Sequence, residues 1–319
     1  YRQDVGTFDG DLSPGYNNPL WTTDVQLNPN RVDRYIAGFE LKHEYTSWFT
    51  LLGRVGLDGY SDKRISMFPK NSVENAGNGS AREDVTDFFQ YNVDIMALGD
   101  LKLSSSIDLN YLIGFNTAET KYDQRGGTYK NFLIDSDSFS YDNAVIADKT
   151  TFLDRTYSKL NAFNFSAAFD YKDYLFLTLG GRLETSSTYD PNLLAYFYPS
   201  VELGYLFSKQ MQSNILTNGK LRLTYGQVAS IPQPYLSSTY LNSATATEGW
   251  GGAFDAGSYN GSFQRSGRQG SADIKPEIKT EIEVGTDLEF FSRFKLNATY
   301  YTNETKNLLV EVPLNPSST

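Results

Sequence analysis

Two close pairs of carboxylates, Asp135 with Asp137 and Glu281 with Glu283, have the type and spacing for general acid–base work. That work needs a shaped cleft that sets the two groups to different tasks. With 38 Asp and Glu in the chain, pairs at this spacing arise by chance. Glu281 and Glu283 also alternate with apolar residues, as the polar face of a strand does. The run 135–143 (D-S-D-S-F-S-Y-D-N) offers alternating oxygen donors of the kind Ca²⁺ takes. It lacks the glycine and closing glutamate of an EF-hand loop, and a solvated loop accounts for it. His43 is the only histidine and there is no cysteine, so neither an imidazole triad nor a thiolate zinc site can be assembled. Gly251-Gly252 has no strand-to-helix setting for a phosphate loop. Asn78-Gly79-Ser80 and Asn297-Ala298-Thr299 fit a glycosylation pattern common enough to arise by chance. No catalytic residue, metal site or cofactor is expected.

The segment 229–276 is more informative. It sets Tyr235, Tyr240, Trp250, Phe254, Tyr259 and Phe263 among small polar residues. Aromatic rings in an exposed loop either pack against one another or stack on a ligand. Both alternatives stay open: self-packing of a large loop, or contact with a substrate or a lid protein.

The elements that carry these residues are strands. In 278–290, Ile278, Thr280, Ile282, Val284, Thr286, Leu288 and Phe290 alternate with Lys279, Glu281, Glu283, Gly285, Asp287 and Glu289. A helix would scatter those charges, whereas a strand puts them on one face. The same split runs through 101–115, where Leu101, Leu103, Ile107, Leu109, Ile113 and Phe115 oppose Lys102, Asp108 and Asn110, and through 35–44 and 89–95. These runs exceed the usual five or six residues of a globular strand and match the roughly 9–11 of a bilayer-crossing one. Mean hydropathy is −0.44 although 15% of the residues are aromatic, which suits a sheet with one apolar and one polar face. No stretch approaches the roughly 18 apolar residues of a membrane-spanning helix. A net charge of −10 argues against a nucleic-acid partner.

The pattern predicts strands near 34–45, 48–60, 85–96, 101–115, 160–171, 174–188, 195–207, 220–228, 277–291 and 294–310. Tight turns are expected at 46–47, 97–100, 172–173 and 292–293, with a longer one at 208–220. At the other ends lie long connections, 61–83, 117–158 and 229–276, and a shorter one near 190–194. Short turns on one side and long loops on the other is the outer-membrane pattern, with the long side extracellular. Tyr45, Trp48, Tyr171 and Tyr174 fall at the short-turn rim, where interfacial rings belong.

Several phrases resemble the SusC/RagA family of TonB-dependent outer-membrane transporters of Bacteroidetes-type bacteria. They are Asn18-Pro19-Leu20-Trp21; Trp48-Phe49-Thr50-Leu51 with Gly53-Arg54-Val55-Gly56-Leu57-Asp58-Gly59-Tyr60; Tyr198-Pro199-Ser200-Val201; Lys220-Leu221-Arg222-Leu223-Thr224-Tyr225-Gly226; and Lys275-Pro276-Glu277 with Glu283-Val284-Gly285-Thr286-Asp287. They occur in family order. The resemblance implies a barrel of about 22 strands, of which this chain supplies about ten, and active import of a sizeable nutrient, an oligosaccharide or a peptide. It also implies energisation by TonB through a plug, and a SusD-like surface lipoprotein as lid. No plug, TonB-contacting box or aromatic-ended final strand is found in the sequence.

The expectation is therefore an all-β, transmembrane antiparallel barrel, with residues 1–319 a partial barrel domain (strands about 34–310) facing outer-membrane lipid. A passive porin or structural barrel subunit, and a soluble glycan-binding β-sandwich, stand as alternatives. A plug with a TonB box would decide against the porin, and detergent-free solubility would favour the sandwich.

Overall fold

The computed structural model describes residues 17, 22–23, 28–136, 140–190, 195–211, 213–243, 263–271 and 273–313. Ten strands form one antiparallel sheet in the order β1-β2-β3-β4-β5-β6-β7-β8-β11-β12, and β9 and β10 form a separate ribbon. The ten are β1 (Asn30–Thr46), β2 (Phe49–Phe68), β3 (Ser80–Ser104), β4 (Ile107–Lys130), β5 (Lys149–Tyr171), β6 (Leu175–Ser186), β7 (Tyr196–Tyr205), β8 (Leu216–Ser230), β11 (Glu277–Phe290) and β12 (Phe294–Lys306). The ribbon pairs β9 (Leu241–Ser243) with β10 (Phe263–Arg265). The expected all-β class and neighbour-to-neighbour order are observed.

The chain divides into two compact units. The first gathers Tyr1–Phe39, Val55–Asn92 and Glu119–Tyr157. Here the long connections expected at 61–83 and 117–158 are corrected. β2, β3, β4 and β5 are 20, 25, 24 and 23 residues long, so only 69–79 and 131–148 remain as loops. The added lengths are strands without an apolar face, held by opposite charges two residues apart: Arg64–Asp62 at 2.6 Å, Arg82–Asp84 at 3.1 Å, Lys121–Glu119 at 3.0 Å and Arg125–Asp123 at 3.1 Å. Residues i and i+2 share a strand face, so each pair closes along the strand. Met67, Ala81, Tyr129, Phe132 and Ala144 form a small buried core in this unit.

The second unit gathers Glu40–Arg54, Val93–Ala118 and Ser158–Thr319. Its register writes the two faces out across strands. Phe169, Leu177, Leu203, Leu223, Val284 and Tyr300 lie opposite one another in sequence from β5 to β12. One residue over, on the other face, run Ala168, Thr178, Glu202, Thr224, Glu283 and Tyr301. The apolar row is uncovered: Leu223 is 45% exposed, Val284 51% and Tyr300 74%.

The turns at Ser47-Trp48, 172–174 and 291–293 fall within a residue or two of expectation. Lys172 and Asp173 (φ 52° and 54°), like Phe291 and Ser292 (φ 53° and 56°), take the left-handed conformation of hairpin turns. The turn expected at 97–100 is wrong, because β3 continues through it and turns at Ser105-Ser106. Gly99 looks like a turn glycine, but a Cβ there would sit 1.9 Å from the Trp48 carbonyl oxygen. It is glycine because two backbones approach closely. Consequently 101–115 is not one strand. Leu101 and Leu103 share a face of β3 against Lys102, while Ile107, Leu109, Ile113 and Phe115 share a face of β4 against Asp108 and Asn110. The small β9–β10 ribbon was not foreseen.

Candidate functional site

The aromatic loop sits between β8 and β11. Its described base is zipped by the backbone: Ser266 N–H donates to the Tyr240 carbonyl (2.8 Å), Ser271 N–H to Leu236 (3.3 Å) and Ser238 N–H to Tyr235 (3.1 Å). Gly270 N–H donates to Thr239 Oγ1 at 3.0 Å. In β9–β10, Phe263 lies opposite Ser243 and Arg265 opposite Leu241. Tyr235, Tyr240 and Phe263 remain 45%, 50% and 67% exposed. The fold thus carries these three on one zippered loop and leaves each of them exposed. Trp250, Phe254 and Tyr259 lie outside the described residues, as does Asp137.

Two of the motif stretches meet. Arg222 lies opposite Gly285, so its guanidinium comes between Glu283 (3.8 Å) and Asp287 (3.0 Å). A Cβ at position 285 would lie 3.0 Å from Arg222 Nη2, hence the glycine between the two acids. Glu281 pairs with Lys279 at 2.8 Å. Nearer the start of the sequence, Arg34 pairs with Asp58 at 2.7 Å and Arg54 with Glu40 at 2.6 Å. These carboxylates are held by cations in a polar wall. In 135–143, Asn143 is turned to the backbone of Ile134 and Ser140 to that of Asp142.

A buried polar cluster ends β6 and was not singled out from the sequence. Arg182 donates to Glu184 (2.6 Å) and Asn164 (2.9 Å), and Tyr189 donates to Glu184 (2.7 Å). Tyr198, of the Tyr198-Pro199-Ser200 motif, lies 3.4 Å from the Tyr189 hydroxyl. Burial, with the hydrogen bonds to Tyr198 and Glu184, pushes the Tyr189 hydroxyl far above the ordinary tyrosine range. The signal available was the Arg182–Glu184 spacing, one more i, i+2 charge pair. The cluster pins the connection after β6, whose Asp190 N–H reaches the Ile274 carbonyl at 3.3 Å.

The loop 69–79 is held from the N-terminal side. Asn17 accepts from Val73 N–H (2.8 Å) and donates to Ser72 (3.2 Å) and Glu74 (2.9 Å). Burial raises the Glu74 pKa, but the hydrogen bonds from Ser72 and Asn17 outweigh it, and the net shift is downward.

At the short-turn rim aromatic rings touch in series: Tyr45 with Phe49 (5.6 Å), Tyr171 with Tyr174 (5.5 Å) and Tyr174 with Tyr205 (6.3 Å). Long antiparallel strands, an uncovered apolar face, a charge-paired polar face and an aromatic rim together define the wall of a β-barrel. The family model for the TonB dependent receptor-like beta-barrel matches residues 1–319, and the chain belongs to that family. Among curated relatives, the TonB-dependent receptor P3 of Formosa agariphila is 21% identical and the match covers 98% of this chain. TonB-dependent receptor P26 of the same organism is 27% identical over 96% of this chain. Among solved structures, the RagAB peptide transporter superposes with a TM-score of 0.81 at 17% identity over 99% of this chain. The RagAB peptide importer in its open-open state gives 0.82. The fold resemblance read from the motifs is borne out. This chain spans 32% and 31% of the two receptors and 34% of the RagAB chain.

Proposed function

We propose that this chain is part of the wall of an active importer in the outer membrane. It takes up a sizeable solute, an oligosaccharide or a peptide, and is energised through TonB by a plug. A SusD-like surface lipoprotein closes its mouth. The observation that carries the membrane placement is the uncovered apolar row from Phe169 to Tyr300, six strands wide in register. Soluble proteins rarely leave such a surface open, whereas lipid covers it at no cost. Membership of the TonB-dependent receptor family supports active import over a passive pore, and the RagAB likeness makes peptides the first solutes to test. In cells carrying the full-length protein, uptake of labelled oligopeptides and oligosaccharides is measured with TonB present and deleted. Uptake that requires both proteins is expected. Uptake unchanged by loss of TonB would identify a passive porin instead.

The aromatic loop is the part of this wall that contacts solute or lid. Tyr235, Tyr240 and Phe263 support the reading by being exposed on a zippered base, and Trp250, Phe254 and Tyr259 share the segment. Amphipathic rings give large contact area at low entropic cost. Trp250→Ala is expected to lower uptake or lid binding while the barrel folds normally. Misfolding with uptake per folded molecule intact would make the ring loop core.

A further inference from the structure

The connection that follows β6 is tied down on two sides. Toward β5, Ser187 N–H donates to the Lys159 carbonyl (2.8 Å), and Lys159 N–H donates to Ser187 Oγ (2.9 Å). At its centre stands the buried cluster, in which Arg182 and the Tyr189 hydroxyl both donate to Glu184. Glu184 is 5% exposed, and Tyr189 and Tyr198 are each 4% exposed. From there Asp190 N–H reaches the carbonyl of Ile274, near the end of the aromatic loop.

That last contact bridges strands that are not neighbours. β6 and β11 are three places apart in the strand order, about 14 Å at roughly 4.8 Å per strand. Asp190 and Ile274 nonetheless meet at 3.3 Å, so the two connections lean together over the ends of β7 and β8. Ile274 is 6% exposed and Pro276 is fully buried. Asn307 Nδ2 donates to the Pro276 carbonyl at 3.3 Å from the end of β12. Two positions separate Ile274 from Ser271, whose N–H closes the zippered base on Leu236. A shift at Ile274 is thus passed within a few residues to the base that carries Tyr235, Tyr240 and Phe263.

We propose that Glu184 and Tyr189 are positioning residues of the importer: with Arg182 and Tyr198 they form a latch that holds the aromatic loop ready for solute. The proposal rests on the reading of that loop as solute-contacting. A carboxylate this deeply buried is tolerated only with its partners in place, so the cluster admits one arrangement where an apolar cluster would slide. A loop held in place beforehand loses less ordering entropy when solute arrives. The latch therefore acts on capture and not on the steps that follow it.

The test uses the full-length protein in its native outer membrane, carrying Tyr189→Phe, which keeps the ring and removes only the hydroxyl. Heat-modifiable migration confirms a folded barrel. TonB-dependent uptake of labelled oligopeptides and oligosaccharides is measured against concentration. The half-saturating concentration should rise roughly tenfold, the worth of one hydrogen bond to a buried carboxylate, with the maximal rate unchanged. In parallel, a nitroxide on Gln269→Cys reports the zippered base without any solute. Residues 1–319 contain no native cysteine, and any elsewhere are changed to serine. The label's spectrum should gain a mobile component in Tyr189→Phe. Leu223→Ala, a change in the apolar row, should move neither readout. If Tyr189→Phe does not fold, Asp190→Pro, which removes the N–H donor to Ile274, carries the same two expectations. An unchanged label spectrum, or a loosened label with unchanged half-saturation, would overturn the proposal. So would a loss confined to the maximal rate, or failure of both variants to fold. Absence of TonB-dependent uptake by the unsubstituted protein would overturn the import reading and the proposal with it; a label that still loosens in Tyr189→Phe would separate that outcome from failure of the latch.

Discussion

Arg222 joins two stretches that lie 65 residues apart in sequence. Each stretch alone reads as an ordinary charged strand, and only the register shows that the acid-glycine-acid spacing of Glu283, Gly285 and Asp287 straddles the arginine opposite. Arg222 is 29% exposed and each acid 32%, so solvent screens the pairs and their coupling stays near 1 kcal/mol. In double-mutant cycles by urea unfolding in liposomes, Arg222→Ala with Asp287→Asn should couple more strongly than with Glu283→Gln, following 3.0 Å against 3.8 Å. Equal couplings would mean that the guanidinium does not favour one acid. Glu74 supplies the pH-dependent case. Its folded pKa lies below the ordinary 4.5, so its contribution is fully present above 4.5 and is lost as pH falls through the depressed value. Amide-exchange protection across 69–79, taken relative to the intrinsic rate at each pH, should hold from pH 7 down to the ordinary carboxylate range and rates relative to intrinsic should rise below it. In Glu74→Gln that rise should disappear.

At the scale of elements, alternation makes nearly every strand readable because each carries one apolar and one polar face. β11 is the clearest case, Ile278 to Phe290 being matched almost to the residue. β2 to β5 run longer than alternation predicts because part of each length has charges on its faces and no apolar stripe to count; only the i, i+2 charge pairs mark those lengths as strand. The pattern misplaces one hairpin because Gly99-Asp100 has turn chemistry and Ser105-Ser106 does not, although Ser104 Oγ accepts from Ser106 N–H at 3.1 Å to close it. In the candidate loop the residue types were legible, but the zippered base was not, since its hydrogen bonds are backbone to backbone. The corrected turn moves Leu109 from the middle of a supposed strand to the rim end of β4, and Ile113, 48% exposed, takes the deeper position. Ile113→Arg should therefore cost about 2–4 kcal/mol in a bilayer folding assay and Leu109→Arg about 0–1. The reverse order would restore the turn at 97–100.

For the molecule as a whole, the edges of the sheet carry the argument. β1 and β12 end the strand order, and all 17 residues of one and all 13 of the other are exposed. Their outer N–H and C=O groups would each cost several kcal/mol if left bare in hydrocarbon, and in water they would template edge-to-edge pairing. Tyr35, Phe39 and Leu41 on β1, with Phe294, Leu296 and Tyr300 on β12, make both edges apolar as well as unpaired. The curated relatives are about three times as long as the part this chain matches, enough to supply strands for both edges. Residues 1–319 expressed alone and refolded into detergent or liposomes should give aggregates or oligomers, without the heat-modifiable migration of a closed barrel. The full-length protein, treated identically, should show that migration and resist protease within its strands. If the shorter chain closes by itself into a protease-resistant monomer, β1 must pair with β12, and the sheet is a complete small barrel and not a section of a larger one.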